Sequence, residues 1–160
     1  MTQKAEFNAE EWSQVLEGPA LAGLMVVSAQ RGGTIREAIS MAKAYTAARE
    51  QYAGNELLDA ILSSRPEADP RKYGGPEELR ERGLQRLAET VRLLDQKATP
   101  EEVEAYKRFT LDVARHAAEG HKEGGFLGIG GKRVSDAEQE ALEQIASTLG
   151  IAAPPQEGGG

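Results

Sequence analysis

The chain has 160 residues, of which 39% are hydrophobic and 28% are charged, a net charge of -7 and no cysteine. This balance is typical of one globular domain, and the lack of cysteine excludes disulfides, thiolate metal sites and a cysteine nucleophile. The acidic charge is spread evenly and the densest basic groups are the pairs Arg71-Lys72 and Lys132-Arg133, so we do not expect nucleic-acid binding.

Membrane and targeting signals are not visible in the sequence. No apolar run approaches the roughly 18 residues that a transmembrane helix needs. The first 12 residues, MTQKAEFNAEEW, contain no apolar stretch of the kind found in signal peptides. We therefore expect a cytoplasmic protein without a transmembrane segment. We do not expect contact with a membrane surface either, because the net negative charge opposes binding to anionic lipid.

Two helices are predicted before residue 30. Asn8 and Glu11 have the spacing of a capping box, which predicts a short helix that presents Trp12 and its neighbours on one face. Gly18-Pro19 is expected to break this helix, with Pro19 as the first residue of the next. The run Pro19–Ala29 has no charged residue, and a helix that is apolar all round is normally buried at the centre of a fold.

The next segment predicts a long helix, a short helix and a connection. Thr34 begins a capping box, and apolar residues then repeat at helical spacing to about Ala53. Gly54 is expected to end this helix, and Asn55 to cap a short one. Residues 64–75 form the longest polar stretch rich in proline and glycine inside the chain, so they are the best candidate for a connection between two halves.

Three further helices are predicted after the connection. Pro76 starts the first, Thr99-Pro100 starts the second, which reaches about Glu119, and Ser135 caps a last helix that ends at Gly150. The sequence thus predicts an all-α, single-domain bundle of six or seven helices over residues 1–152, with no sheet. A subdivision at 64–75 is left open, and residues 153–160 are expected to form a disordered tail. One continuous core is predicted from Leu24, Val27, Ile39, Leu87, Val91, Val113 and Ile145.

A glycine-rich segment spans residues 123–133. Its spacing does not match a phosphate-binding loop, because a Walker motif would need glycine in place of Phe126 and a hydroxyl residue in place of Arg133. Two interpretations stay open for its apolar residues. Phe126, Leu127 and Ile129 can tuck into the bundle, which we favour because their burial is worth about 1.5–3 kcal/mol each. Alternatively, they form an exposed partner-binding loop.

A set of possible metal ligands lies at the end of the helix that starts at Thr99-Pro100. Asp112, His116 and Glu119 are spaced i, i+4 and i+7, which stacks them on one helix face, and His121 follows closely. Nitrogen and oxygen ligands of this kind suit zinc, iron or manganese. The alternative is a solvated polar face near a helix C-terminus. We expect no cofactor, with a divalent metal as the alternative.

No catalytic constellation is recognisable among the serines and carboxylates. The sequence therefore favours a non-enzymatic helical interaction or scaffolding protein that binds a protein partner or self-associates. The alternative is a metal-binding helical protein that uses the histidine and carboxylate cluster. An enzyme whose site has no recognisable motif is the third possibility.

The segments Ala117–Gly131 and Val134–Glu138 resemble a group of small, all-helical bacterial proteins of unknown function, as does the opening Trp12–Gly23. A looser similarity connects the C-terminal part with the TerB-like helical domains associated with tellurite resistance. Those domains carry an Ala-Asp-Gly turn between two helices and a glutamate early in the second. Ala118-Glu119-Gly120 and Glu138 stand at those places here, with Glu for Asp and a longer separation. The resemblance implies an acidic metal-binding role.

Overall fold

The fold is a bundle of six α-helices, seen in a computed structural model that describes residues 4–29, 35–66, 68–123 and 136–151. The side chains of residues 35–40, 70 and 120–123 also lie outside this description. No strand occurs among the described residues, and the prediction of an all-α single-domain bundle is confirmed. The helices are α1 (Ala9–Ala29), α2 (Ile35–Gln51), α3 (Glu56–Leu62), α4 (Pro76–Lys97), α5 (Pro100–Glu123) and α6 (Asp136–Leu149), with 3-10 turns at Lys4–Glu6 and Pro70–Lys72.

Complete capping boxes begin two helices, one at the predicted box Asn8–Glu11 and one at Thr99, which was predicted only as a cap. At the start of α1, the Glu11 N–H donates to Asn8 Oδ1 at 2.8 Å, and the Asn8 N–H donates to Glu11 Oε1 at 2.9 Å. At the start of α5, Thr99 and Glu102 exchange the equivalent bonds at 3.0 and 3.2 Å. Each box satisfies two backbone donors that a helix N-terminus leaves without partners, so these residues fix where both helices begin.

The predicted ends of α2 and α6 depend on glycines in the left-handed region. Gly54 follows α2 with φ of 90°, and Asn55 then caps α3 by accepting from the Leu58 N–H at 3.1 Å. Gly150 ends α6 with φ of 77°, and the Ile151 N–H donates to the Ala146 carbonyl at 3.0 Å. This last bond is that of a Schellman motif, in which glycine avoids the strain that a side chain would cause.

Helix α1 lies at the centre of the bundle and packs against α2, α4, α5 and α6. Glycines allow two of these close approaches. A Cβ at Gly23 would lie 2.8 Å from the sulfur of Met41 on α2, and a Cβ at Gly83 on α4 would lie 2.7 Å from the sulfur of Met25. Each glycine leaves space that a methionine side chain of the neighbouring helix fills, so a Cβ there would require that side chain to shift. The prediction of a central helix in this segment is confirmed.

The predicted break at Gly18-Pro19 is wrong, because α1 runs without interruption from Ala9 to Ala29. Proline at position 19 removes the N–H that would donate to the Val15 carbonyl and places its ring near that oxygen. The hydroxyl of Tyr106 on α5 donates to the same carbonyl at 2.8 Å instead. Gly18 makes room for this, since any Cβ there would collide with the Tyr106 hydroxyl. A tertiary hydrogen bond therefore replaces the missing helical one.

Among the described residues, the core forms two clusters rather than one continuous group. The first contains Trp12, Tyr106 and Phe109, together with the apolar face of α3. The second surrounds the C-terminal half of α1 and contains the apolar face of α6. Both clusters include residues from before and after the connection at 64–75. The two halves of the chain therefore share their hydrophobic interior.

Three of the predicted core residues are buried, and three others are only half-buried. Leu87 and Ile145 are buried in the second cluster, whereas Val113 is buried in the first. Leu24, Val27 and Val91 are half-buried and pack against the second cluster, and the side chain of Ile39 lies outside the described residues. Helical periodicity identified the correct faces, but it does not reveal which helices meet on each face.

The first prediction compares two buried tyrosine hydroxyls. Tyr106→Phe should destabilise the protein by about 1–3 kcal/mol, because it leaves the Val15 carbonyl buried without a donor. Tyr45→Phe is the matched control, since the Tyr45 hydroxyl is buried without a hydrogen-bond partner in the described part of the chain. Its removal should leave the stability unchanged or slightly raised. Urea unfolding measures both, and equal losses in the two variants would contradict the role given to Tyr106.

Candidate functional site

The apolar residues of the glycine-rich segment lie outside the described residues. The structure describes α5 up to Glu123 and resumes at Asp136. The proposed partner-binding residues Phe126, Leu127 and Ile129 fall between these positions. Both interpretations of that segment therefore stay predictions.

The possible metal ligands lie on α5, but their groups have other partners. His116 Nδ1 lies 2.9 Å from the Asp112 carbonyl oxygen. The Asp112 carboxylate accepts from Arg115 at 3.3 Å and from the Tyr52 hydroxyl at 3.5 Å. Burial, with the Asp112 charge as a second cause, raises the pKa of Tyr52 to about 12. Glu119 is half-buried, and the His121 side chain lies outside the description.

These ligands do not form a metal centre among the described residues. No group of three or more histidine, aspartate or glutamate side chains in this part of the chain could hold a metal ion. Ala118-Glu119-Gly120 lies inside α5, which continues to Glu123. The metal-binding alternative stays a prediction that depends on the side chain of His121, which is not described.

A groove at the N-terminal end of α1 forms a concavity with a volume of about 590 Å³. Its α1 residues, 9, 12, 13 and 16, follow one helix face. Phe7, Trp12 and Leu16 are buried members of the first core cluster, and the other lining residues are exposed. The groove is lined by Lys4, Ala5, Phe7, Asn8, Ala9, Trp12, Ser13 and Leu16.

The aromatic floor of the groove is fixed by the way α1 begins. Asn8 is the N-cap, so Phe7 precedes the cap and Trp12 is the fourth helical residue. These are the two positions of a hydrophobic staple, which sets the angle at which a chain enters a helix. The two rings have centroids 5.6 Å apart and planes inclined by 43°. The capping box and the staple together hold the aromatic pair in place.

Lys97 clamps the turn that forms one wall of the groove. Its ammonium group, at the C-terminal end of α4, donates to Glu11 Oε1 at 2.8 Å and to the Glu6 carbonyl at 2.9 Å. It also lies 5.5 Å from the centre of the Phe7 ring, within the range of a cation–π contact. The hydrogen bond from Lys97 lowers the pKa of the Glu11 carboxyl. The clamp ties the N-terminal turn to α4.

The groove contains one unsatisfied donor. The indole Nε1 of Trp12 is buried and has no hydrogen-bond partner in the described part of the chain. Buried donors without acceptors are rare, and each one needs an explanation. Lys4 also lines the groove, and its ammonium group lies 6.0 Å from the centre of the Trp12 ring. It makes no ion pair among the described residues. The groove therefore combines apolar residues with the ammonium group of Lys4, which is exposed.

Sequence reasoning identified the capping box but not the staple or the groove. Phe7 was the available signal, because an apolar residue directly before an N-cap pairs with the residue five positions later. The Lys97 contact had no such signal, since it joins residues more than 80 positions apart. No pattern in one helix reveals a partner at that separation.

Comparison of the chain with protein-family models, with curated proteins and with solved structures found no match. The resemblance to TerB-like domains and to small bacterial helical proteins therefore stays a prediction. Within the part of the chain that the structure describes, no helix is both long enough and apolar enough to cross a bilayer.

The second prediction tests the Lys97 clamp. Lys97→Met keeps the length of the side chain but removes its charge, so the N-terminal turn should loosen and Trp12 should become more accessible to acrylamide. Trp12 is the only tryptophan, so its fluorescence reports on this region alone. Lys107→Met on α5, which removes a lysine charge away from the groove, is the control. Unchanged quenching in Lys97→Met would show that the clamp does not hold the turn.

The same clamp should depend on pH. Because the Glu11 pKa lies below its usual value of 4.5, the ion pair stays intact at that pH and is lost as the pH falls through the lower, folded-state value. Wild-type Trp12 quenching should therefore rise on acidification below pH 4.5. Lys97→Met should show a smaller rise, because it has no clamp to lose.

Proposed function

We propose that the protein is a non-catalytic interaction module that binds a segment of another protein chain in the groove formed by Phe7, Trp12 and Leu16. The observation that carries this proposal is a groove of about 590 Å³ at the N-terminal end of α1, lined by the aromatic pair and Leu16. Volumes of this order accommodate ligands in many proteins.

The lining of the groove defines the chemistry of the partner. The aromatic pair favours apolar side chains, and small residues on the α1 side, such as Ala9, leave room for a backbone to approach. Aromatic-lined grooves of this kind bind short extended segments, whose backbone carbonyls are exposed as acceptors. The ammonium group of Lys4, which has no ion-pair partner among the described residues, favours an acidic residue beside the apolar ones. The expected partner is therefore a short extended segment with apolar and acidic residues.

The size of the groove sets the expected affinity. Each apolar side chain that a partner buries there contributes about 1.5–3 kcal/mol before the cost of ordering the segment is subtracted. Two or three such side chains give, after this cost, a weak interaction with a Kd between roughly ten micromolar and millimolar. Such an interaction is reversible.

The third prediction concerns a substitution that fills the groove without changing the core. Ala9 is exposed and lines the groove, so the side chain of Ala9→Arg should occupy it while the protein stays folded. Ala47→Arg is the matched control, because Ala47 is an exposed alanine on α2. Sedimentation over a range of concentrations, with Trp12 emission recorded in parallel, tests a second copy of the chain as the partner. Affinity capture from native lysate, followed by identification of the bound proteins, tests other partners.

The result expected is an association that Ala9→Arg weakens at least tenfold and Ala47→Arg leaves unchanged, accompanied by a change in Trp12 emission. Equal binding by both variants would place the interaction elsewhere on the protein. The proposal is also wrong if no association in either assay depends on Ala9.

A further inference from the structure

A second concavity, of about 320 Å³, lies between α1, α4 and the connection at 64–75. Unlike the groove, it is lined by polar and charged side chains. Arg82, Arg86 and Glu89 are spaced i, i+4 and i+7 on one face of α4, and Lys72 and Tyr73 face them from the connection. The concavity and the aromatic groove share no lining residue.

The floor of this concavity is an ion pair whose carboxylate is buried. The Glu17 side chain of α1 is only 8% exposed, and its Oε1 accepts from Arg86 Nε at 2.8 Å. Burying a carboxylate is costly unless a partner neutralises it, and Arg86 does so with Nε alone. The Arg86 side chain is 40% exposed, and its two terminal nitrogens make no hydrogen bond within the described part of the chain. The two terminal nitrogens of Arg86 therefore remain available as hydrogen-bond donors.

The lining residues Arg82 and Lys72 are also cationic. The Arg82 guanidinium lies 5.2 Å from the centre of the Tyr73 ring and donates to the Lys72 carbonyl at 3.2 Å. These contacts hold the connection against α4. The Lys72 side chain is exposed and has no ion-pair partner among the described residues.

We propose that this cavity binds an oxyanion, a carboxylate or phosphate group of a small molecule. Arg86 holds it through its two terminal nitrogens, since a guanidinium edge matches two acceptor oxygens. Lys72 adds a point charge from the connection, and Arg82 contributes from the neighbouring turn of α4. The ring of Tyr73 provides an apolar surface for the remainder of the ligand.

The nearby acidic groups determine how strongly the anion is held. Glu17 is occupied by Arg86, and Glu78 is occupied by the Gly74 N–H and by Arg82, whose guanidinium lies 3.6 Å away. Glu89 is exposed at the rim, where its charge opposes an incoming anion. Removing the charge of Glu89 should therefore strengthen anion binding. A purely structural role of these charged residues does not predict this gain.

The test titrates the ¹⁵N-labelled protein with inorganic phosphate and, separately, with succinate, with sodium chloride at matched ionic strength as the reference. We expect saturable shifts in backbone amides near Glu17, Lys72-Tyr73 and Arg82–Glu89. Arg86→Gln should weaken binding about tenfold or more, because a charge-assisted hydrogen bond is lost. Lys72→Gln should weaken it about threefold, and Glu89→Gln should tighten it by a similar factor.

Two controls keep the proposal falsifiable. Arg92→Gln removes an exposed arginine of α4 that does not line the cavity, and binding should be unchanged. Lys72→Gln removes no described side-chain contact, so it reports on binding even if Arg86→Gln unfolds the protein by leaving Glu17 unpaired. Saturation by phosphate alone supports a phosphate ester as the ligand, and saturation by succinate alone supports a carboxylate. Without saturation by either anion, or with equal affinity in the wild type and Lys72→Gln, the proposal is overturned.

Discussion

The hydrogen bond from the Tyr106 hydroxyl to the Val15 carbonyl is the interaction on which the rest of the bundle depends. It allows α1 to continue through Gly18-Pro19, because it satisfies the carbonyl that proline leaves without a donor. Burial of Tyr106 raises its pKa well above the usual value, so the hydroxyl keeps its proton over the physiological range. The bond also sets the register of α1 against α5, since the Tyr106 hydroxyl fits only beside a residue without a side chain.

The continuity of α1 brings both proposed sites onto one rigid element. The aromatic groove uses the first two turns of the helix, and Glu17, at the floor of the polar cavity, lies one residue before Gly18. With a break at Gly18-Pro19, these sites would lie on a short, separate helix. Helix α4 connects them a second time, because Lys97 at its end clamps the groove and Arg86 near its middle pairs with Glu17. Two points of attachment between α1 and α4 thus position both sites.

The predictable features were those encoded within a few residues. The capping boxes, the left-handed glycines and the helical periodicity depend on local geometry, and they predicted the helix boundaries at Asn8, Asn55 and Gly150. Local reasoning failed at Pro19, because the group that compensates for it is 91 positions from its acceptor in sequence. The same limit applies to both sites. The aromatic pair had a local signal, but the Lys97 clamp and the Glu17–Arg86 pair join helices that are distant along the chain.

A double-mutant cycle between Pro19 and Tyr106 tests this account most directly. Pro19→Ala restores the helical N–H donor to the Val15 carbonyl, so Tyr106→Phe should then cost less stability than it does in the wild type. Urea unfolding of the four proteins should give a coupling free energy of about 1 kcal/mol or more. If Tyr106→Phe instead costs the same in both backgrounds, the hydroxyl does not replace the missing donor, and the continuity of α1 has another cause.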